Sequence, residues 1–179
     1  MAIGNEYLKS VIGKFNSVKK LGDDTIRQLT EEDLHWAYNT ESNSIAIIVK
    51  HMSGNMISRW TDFLTTDGEK DYRNRDDEFT DDISSLAELK SIWEKGWNTL
   101  LDTLTSLTEQ DLLRTIYIRG EGHTVIDAIE RQLSHYSYHI GQIVFIGKLV
   151  RGEQWNSLSI PKGKSKEYLM EMLEKHQGK

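Results

Sequence analysis

The chain has 179 residues, of which 37% are hydrophobic and 28% are charged, and its net charge is −6. This size and composition fit a single domain over residues 1–179 with one core, and they exclude wholesale disorder. The sequence contains no cysteine, which excludes disulfides, thiolate-bound zinc and a cysteine nucleophile, and the negative charge disfavours non-specific nucleic-acid binding.

At the N-terminus, Glu6 and Lys9 introduce charge before an apolar run can form, so we expect no signal peptide. No stretch of the sequence reaches the length and apolar character of a membrane span. We therefore expect a cytoplasmic protein whose partners include neither a membrane nor a nucleic acid.

Apolar residues recur at helical spacing in four segments, which predict four long helices. The stripes extend over Ile3–Leu29, Ile45–Phe63, Ile83–Leu107 and Val125–Gly147. The one proline, Pro161, lies beyond all of them. Because such helices bury their stripes best against one another, the sequence predicts an all-α fold, a four-helix bundle.

Polar residues that cap helices precede three of these segments. We expect Ser42-Asn43-Ser44 to cap the second helix, Asp81-Asp82 the third and Thr124 the fourth. The segment Leu29–Leu34 recurs as Leu107–Leu112, with the shared pattern Leu-Thr-Glu-Glu/Gln-Asp-Leu. This repeat is either a good capping turn used twice or the trace of a duplicated helical hairpin.

The second and third helices are joined by a polar connection, residues 67–82. Links between neighbouring helices of a bundle are commonly about 2–8 residues, so this one is long. A crossover that lets the two helices run in the same direction explains its length, and so does a functional lid.

After the fourth helix, the tail from Trp155 to Ser165 has no helical pattern. We expect it to pack across the bundle, because leaving Trp155, Leu158 and Ile160 in water is unfavourable. A last short helix is predicted from Lys166 to Lys175.

Two histidines, His135 and His139, are four residues apart on the fourth helix, so their rings share a face one turn apart. This spacing lets two imidazoles bind one metal ion. His51 lies on an inward face of the second helix. Burying three imidazoles without a common partner costs the desolvation of each. The sequence therefore predicts a metal site formed by His51, His135 and His139.

The other three histidines do not share this pattern. His35, which follows the first capping turn, and His176 in the tail are predicted to lie at the surface. His123, at the start of the fourth helix, faces either solvent or the metal site.

The segment from Ser42 to Asn55, which contains His51, and the His-x-x-x-His-x-Gly-Gln pattern that ends at Gln142 resemble the DinB/YfiT-like metalloenzymes. The tail sequence Leu-Ser-Ile-Pro-Lys-Gly-Lys-Ser resembles, more narrowly, the uncharacterised DUF1572 branch. Nearly the whole chain shares the resemblance. It implies an up-down-down-up bundle with its long connection between helices two and three, a divalent ion (nickel or zinc) on the three histidines, and a homodimer.

Characterised members of this superfamily include S-transferases that use bacillithiol, mycothiol or glutathione. The resemblance therefore implies a small-molecule substrate and a low-molecular-weight thiol. Many relatives have an arginine directly after the second histidine of the pair, where this chain has Ile140. Arg131, one turn before His135, is a candidate to replace it in binding an anionic substrate, and Asn55 and Gln142 are further candidates for substrate binding.

Three neutral imidazoles leave an ion an open position, which is typical of catalytic sites. Such an ion acidifies a bound thiol, whose usual pKa is about 8.5, more easily than water, whose value is about 15.7. The fourth helix offers no obvious general base, so thiol transfer is favoured over hydrolysis. The alternative is a non-catalytic stress-related or assembly protein that retains the bundle and the metal. No nucleotide-binding motif is present.

Overall fold

The computed structural model describes residues 3–176, which form five α-helices and one β-hairpin. The helices are α1 (Ile3–Ile26), α2 (Ile45–Trp60), α3 (Leu86–Ser106), α4 (Val125–Arg151) and α5 (Ser165–His176). Strands β1 (Thr115–Ile118) and β2 (Glu121–Thr124) pair antiparallel between α3 and α4. The prediction of a mostly helical fold is confirmed, but the hairpin is an addition to it. Within residues 3–176, no helix combines the length and apolar character that crossing a membrane requires.

Two of the three predicted N-caps are correct. The hydroxyls of Ser44 and Thr124 accept hydrogen bonds from the first turns of α2 and α4. The prediction for α3 is wrong, because Ser85 is its cap. Asp81 instead accepts a hydrogen bond from the Ser44 hydroxyl at 2.6 Å. Asp82 forms an ion pair with Lys50 of α2. These two carboxylates therefore fasten the start of α2 rather than the start of α3.

The four long helices contribute to one core, in which α1 and α2 each pack against both α3 and α4. The contacts between α2 and α3 advance in the same direction along both helices. The hydroxyl of Ser53 donates to the carbonyl of Ile92, and the hydroxyl of Thr103 donates to the carbonyl of Trp60. The largest fully buried side chains are Trp60, Trp97, Tyr136 and Phe15.

The connection between α2 and α3 is packed against the rest of the protein. The Asp67 carboxylate accepts hydrogen bonds from the backbone N–H groups of Arg119 and Gly120 in the hairpin turn. Further along, a short 3-10 turn (Asp77–Phe79) packs on α2 and buries the side chain of Glu78. The connection is therefore held by the hairpin near one end and by α2 near the other.

Both copies of the repeated segment form the same local turn. Asp33 accepts from the N–H of Thr30 at 2.7 Å, and Asp111 accepts from the N–H of Thr108 at 2.9 Å. A short 3-10 turn follows each threonine. Local capping is therefore enough to account for the repeated pattern.

The tail is only partly packed. Trp155 is half-buried against Gly147 of α4, and Leu158 is half-buried as well. Ile160 differs from the expectation, since 41% of its surface is exposed. It lies in a bend that leads into the exposed turn from Pro161 to Lys164. The predicted last helix is present as α5, which contributes no buried side chain.

Candidate metal centre

The structure brings His51 of α2 together with His135 and His139 of α4. Each of the three offers a ligand atom, and these atoms all lie within 4.8 Å of one another. The ring centroids are 5.5 Å apart for His51 and His135, 5.0 Å for His51 and His139, and 4.7 Å for the pair on α4. His51 is 8% exposed, and the other two rings are half-buried. The three rings thus surround one small volume between the two helices.

The two rings on α4 face each other through their Nε2 atoms, which are 3.0 Å apart. A tetrahedral ion with metal–nitrogen bonds of about 2.0–2.1 Å places its nitrogen ligands about 3.4 Å apart. The Nδ1–H of His139 donates to the side-chain oxygen of Gln142, and the two atoms are 2.8 Å apart. This hydrogen bond leaves the Nε2 lone pair of His139 directed at the centre.

His51 is oriented by a carboxylate that no sequence pattern predicts. Its Nδ1 lies 3.0 Å from Glu78 Oε2, and Glu78 itself is 5% exposed. Arg73 donates to both oxygens of Glu78, from Nε at 2.7 Å and from Nη2 at 2.9 Å. Burial alone raises the pKa of Glu78, but the hydrogen bonds from His51 and Arg73 outweigh it and hold the pKa below its ordinary value. An ionised Glu78 fixes the His51 ring with Nε2 free for an ion.

The surroundings keep two of the imidazoles neutral. Burial, the neighbouring histidines and two nearby arginines lower the pKa of His135 from 6.5 to about 4. Burial is also the main reason that the pKa of His139 is lowered, although Gln142 opposes it. Neutral imidazole is the form that binds metals, so His135 and His139 are ready to bind an ion at neutral pH.

The three predicted substrate-binding residues have different environments. Arg131 is exposed on α4. Asn55 is buried, and its side-chain oxygen accepts from the hydroxyl of Tyr136, which in turn accepts from the indole N–H of Trp60. Gln142 binds His139 and thus supports a metal-site ring. Of the three, only Arg131 presents its side chain to solvent without a hydrogen bond to another described residue.

The remaining histidines lie outside the trio. His123 is on β2, and its Nδ1 is 2.6 Å from the carboxylate of Asp127. His35 is half-exposed, and its Nδ1 is 2.6 Å from Asp81. His176 is exposed on α5. The surface positions predicted for His35 and His176 agree with the structure. His123 faces neither solvent nor the other three histidines, because its side chain is only 11% exposed and pairs with Asp127.

Comparison with known proteins places this site in a family without an assigned activity. Residues 2–164 match the family model described as "Protein of unknown function (DUF1572)". The chain belongs to the DUF1572 family. A search of curated proteins found no match. Neither comparison assigns a reaction to the site of this DUF1572 protein.

Proposed function

We propose that this DUF1572 protein is a metal-dependent enzyme whose divalent ion is bound by His51, His135 and His139. The observation that carries the proposal is the convergence of three ring nitrogens within 4.8 Å of one another. The donor set fits such an ion, because imidazole nitrogen suits zinc and nickel and no thiolate is available in the chain. Hydrogen bonds from His51 to Glu78 and from His139 to Gln142 supply the outer support that metal-binding histidines usually have.

The proposed chemistry is thiol transfer to a small electrophile, ahead of hydrolysis. A divalent ion on three imidazoles supplies Lewis acidity to a bound thiol or water at its open position. Glu78 does not serve as a free general base, because both of its oxygens are occupied by Arg73 and His51. A thiol, with a usual pKa of about 8.5, needs far less help to lose its proton than water does.

We also propose the up-down-down-up order of a DinB-like four-helix bundle. The contacts indicate that α1 and α4 run in the same direction, since Tyr7 binds Glu130 and, further along both helices, Phe15 packs on Tyr136. The contacts of α2 with α3 do so too. Contacts between α2 and α4 run in opposite directions along the two helices. This pattern supports the crossover explanation of the long connection, residues 67–82.

The proposed substrate is a small molecule, with a low-molecular-weight thiol as the second reactant. A groove of about 750 Å³ lies beside Gln142, between α4 and the segment that contains Trp36 and Tyr38, and its size suits such a molecule. We also propose that the protein forms a homodimer. Exposed apolar side chains on α5, among them Leu169 and Leu173, support this proposal. Light scattering at several protein concentrations measures the oligomeric state.

Metal analysis of protein purified without a histidine tag tests the site. We expect one ion per chain by mass spectrometry, and we expect calorimetry to show its loss in each of H51A, H135A and H139A. His123→Ala is the matched control, because this histidine pairs with a carboxylate outside the trio. Metal that persists in the triple variant contradicts the site.

Activity is then measured with a set of thiols and electrophiles, comparing the metal-loaded protein with the metal-free protein. Turnover that requires the metal supports the enzyme. Full metal occupancy without turnover across the set favours the alternative, a non-catalytic stress-related or assembly protein that retains the site.

A further inference from the structure

Arg59 carries a guanidinium group from α2 into the interior of the protein. Its exposed fraction is 3%, and its Nε and Nη1 atoms are enclosed without a hydrogen-bond partner in residues 3–176. Across the same residues, none of the ion pairs includes Arg59. Burial lowers its pKa, but an arginine keeps its charge in proteins. The carboxylates of Glu69 and Asp67 interact with its charge, but neither forms an ion pair with it in the described residues. An enclosed guanidinium without a hydrogen-bonded carboxylate is unfavourable.

The other buried polar groups of α2 are satisfied. His51 binds Glu78, Asn55 binds Tyr136, and Ser53 and Ser58 donate to backbone carbonyl oxygens. The buried guanidinium of Arg73 likewise holds Glu78 through two hydrogen bonds. Arg59 is therefore an exception on a helix whose polar side chains otherwise have partners.

The position of Arg59 relates it to the metal centre. His51, Asn55 and Arg59 are spaced at four residues, so they lie in one row on α2, and about 12 Å of helix separates the first from the last. Helical side chains lean toward the N-terminus of their helix, which directs the Arg59 guanidinium back toward His51. The guanidinium thus lies in the same row of α2 as a proposed ligand and is directed toward it.

The connection between α2 and α3 lies directly against this guanidinium. A β-carbon at Gly68 would lie 2.5 Å from Arg59 Nη1, so the backbone of the connection closes over the group. On α4, one turn before Tyr136, Gln132 is buried and its side-chain oxygen has no hydrogen-bond partner in the described residues. In the described residues, α2 thus carries an unpaired donor group and α4 an unpaired acceptor, and these are the two helices that contribute the three histidines.

We propose that Arg59 binds the carboxylate of a small substrate whose other end reaches the His51–His135–His139 centre. This inference rests on the proposed function and adds the substrate class, a carboxylate-bearing molecule, to it. A planar guanidinium binds a carboxylate through two parallel hydrogen bonds, and the enclosed site strengthens them.

The test compares 3-mercaptopropionate with its neutral amide, 3-mercaptopropionamide. We expect both thiols to bind cobalt-loaded protein through sulfur, which the thiolate-to-cobalt absorption band measures. The two thiols differ in the charge at the far end. We expect wild-type protein to bind the carboxylate at least tenfold more tightly than the amide. In R59M this preference disappears and the affinity for the amide is unchanged, whereas R59K retains part of the preference.

R131M tests the competing candidate for anion binding, the exposed arginine one turn before His135. It keeps the wild-type preference if Arg59 is the anion-binding group. Loss of the preference in R131M but not in R59M overturns the inference, and so does equal binding of the two thiols by wild-type protein. Circular dichroism and the cobalt content show that each variant is folded and loaded.

A metal-free arm separates this inference from the proposed function. If wild-type protein binds no cobalt, the proposed function fails, and Arg59 is tested by the melting temperature of the metal-free protein with propionate or inorganic phosphate. Stabilisation by propionate that is absent in R59M supports the carboxylate site. Stabilisation by phosphate alone, or by neither anion, overturns it.

Discussion

Removing the imidazole of His135 changes how the stability of the metal-free protein depends on pH. In the native structure this ring is half-buried beside two other histidines and near two arginines, and its pKa falls from 6.5 to about 4. In the unfolded chain the ring is hydrated and its pKa returns to about 6.5. Between these two values the unfolded chain binds a proton that the native protein does not bind.

The sign and size of the effect follow from this difference. Above pH 6.5 the ring is neutral in both states and adds no pH dependence. As the pH falls from 6.5 toward 4, the free energy of unfolding declines by up to about 1.36 kcal/mol per pH unit. The whole window corresponds to about 3.4 kcal/mol at most, and contact of the ring with water reduces the expected loss to about 2 kcal/mol. Below about pH 4 both states bind the proton and the loss stops growing.

The assay is urea unfolding of wild-type protein and His135→Gln with a chelator present, at about pH 7.5 and about pH 4.5. Carboxylates that titrate in this range are common to both proteins, so they cancel in the difference between the two free energies of unfolding. We expect that difference to change by about 2 kcal/mol in favour of the variant at the lower pH. A difference that is the same at both pH values refutes the assigned environment of His135.

Three further substitutions test the packing and the hydrogen bonds around the site. Glu78→Gln weakens the acceptor for His51 and removes the charge that balances Arg73. We therefore expect calorimetry to show a metal affinity that is about 10–100-fold lower. Unchanged affinity contradicts the role of Glu78. Tyr136→Phe leaves the indole N–H of Trp60 and the side-chain oxygen of Asn55 buried and unpaired. We expect the free energy of unfolding in urea titrations to fall by about 2 kcal/mol. An unchanged value contradicts the importance of these hydrogen bonds. Gly96→Ala places a β-carbon 2.8 Å from the backbone of α2. We expect it to lower the free energy of unfolding by about 1–3 kcal/mol in the same assay. A stabilising effect refutes the close packing of α2 and α3.

The helices could be predicted because each buries one face, and burial on one face produces a period of about 3.6 residues. The position of the histidine pair follows from the same geometry, since residues four apart on α4 share a face wherever that helix lies. The convergence of His51 on this pair required a further assumption, that α2 and α4 lie side by side. Contacts between these two helices agree with the assumption.

The hairpin was missed although its signal is present in the sequence. Ile116 and Ile118 are buried and alternate with exposed residues, which is the period of a strand. Arg119 and Gly120 both have positive φ angles, 55° and 76°, as a two-residue hairpin turn of type I′ requires. With only four residues in each strand, this alternation is too short to stand out between two strong helical stripes.

The partners of the metal-site residues could not be predicted for a different reason. Glu78 lies in a polar connection that has no period, and nothing in its sequence neighbourhood relates it to His51. Its contact with the ring depends on how 25 residues between α2 and α3 fold back onto α2. A tertiary contact of this kind leaves no local pattern.

Arg59 shows how a buried helix conceals its polar residues. Most of α2 is buried on all sides, so periodicity does not distinguish a polar residue that faces solvent from one that faces the interior. An arginine beside Trp60 at the end of such a helix fits a solvated position as well as an enclosed one. Only its burial and the absence of a partner among residues 3–176 separate the two cases. A buried arginine that forms no ion pair in these residues is unfavourable, and perturbed buried charges cluster at functional sites. The residue that the sequence conceals best is therefore the one on which we base the proposed carboxylate site.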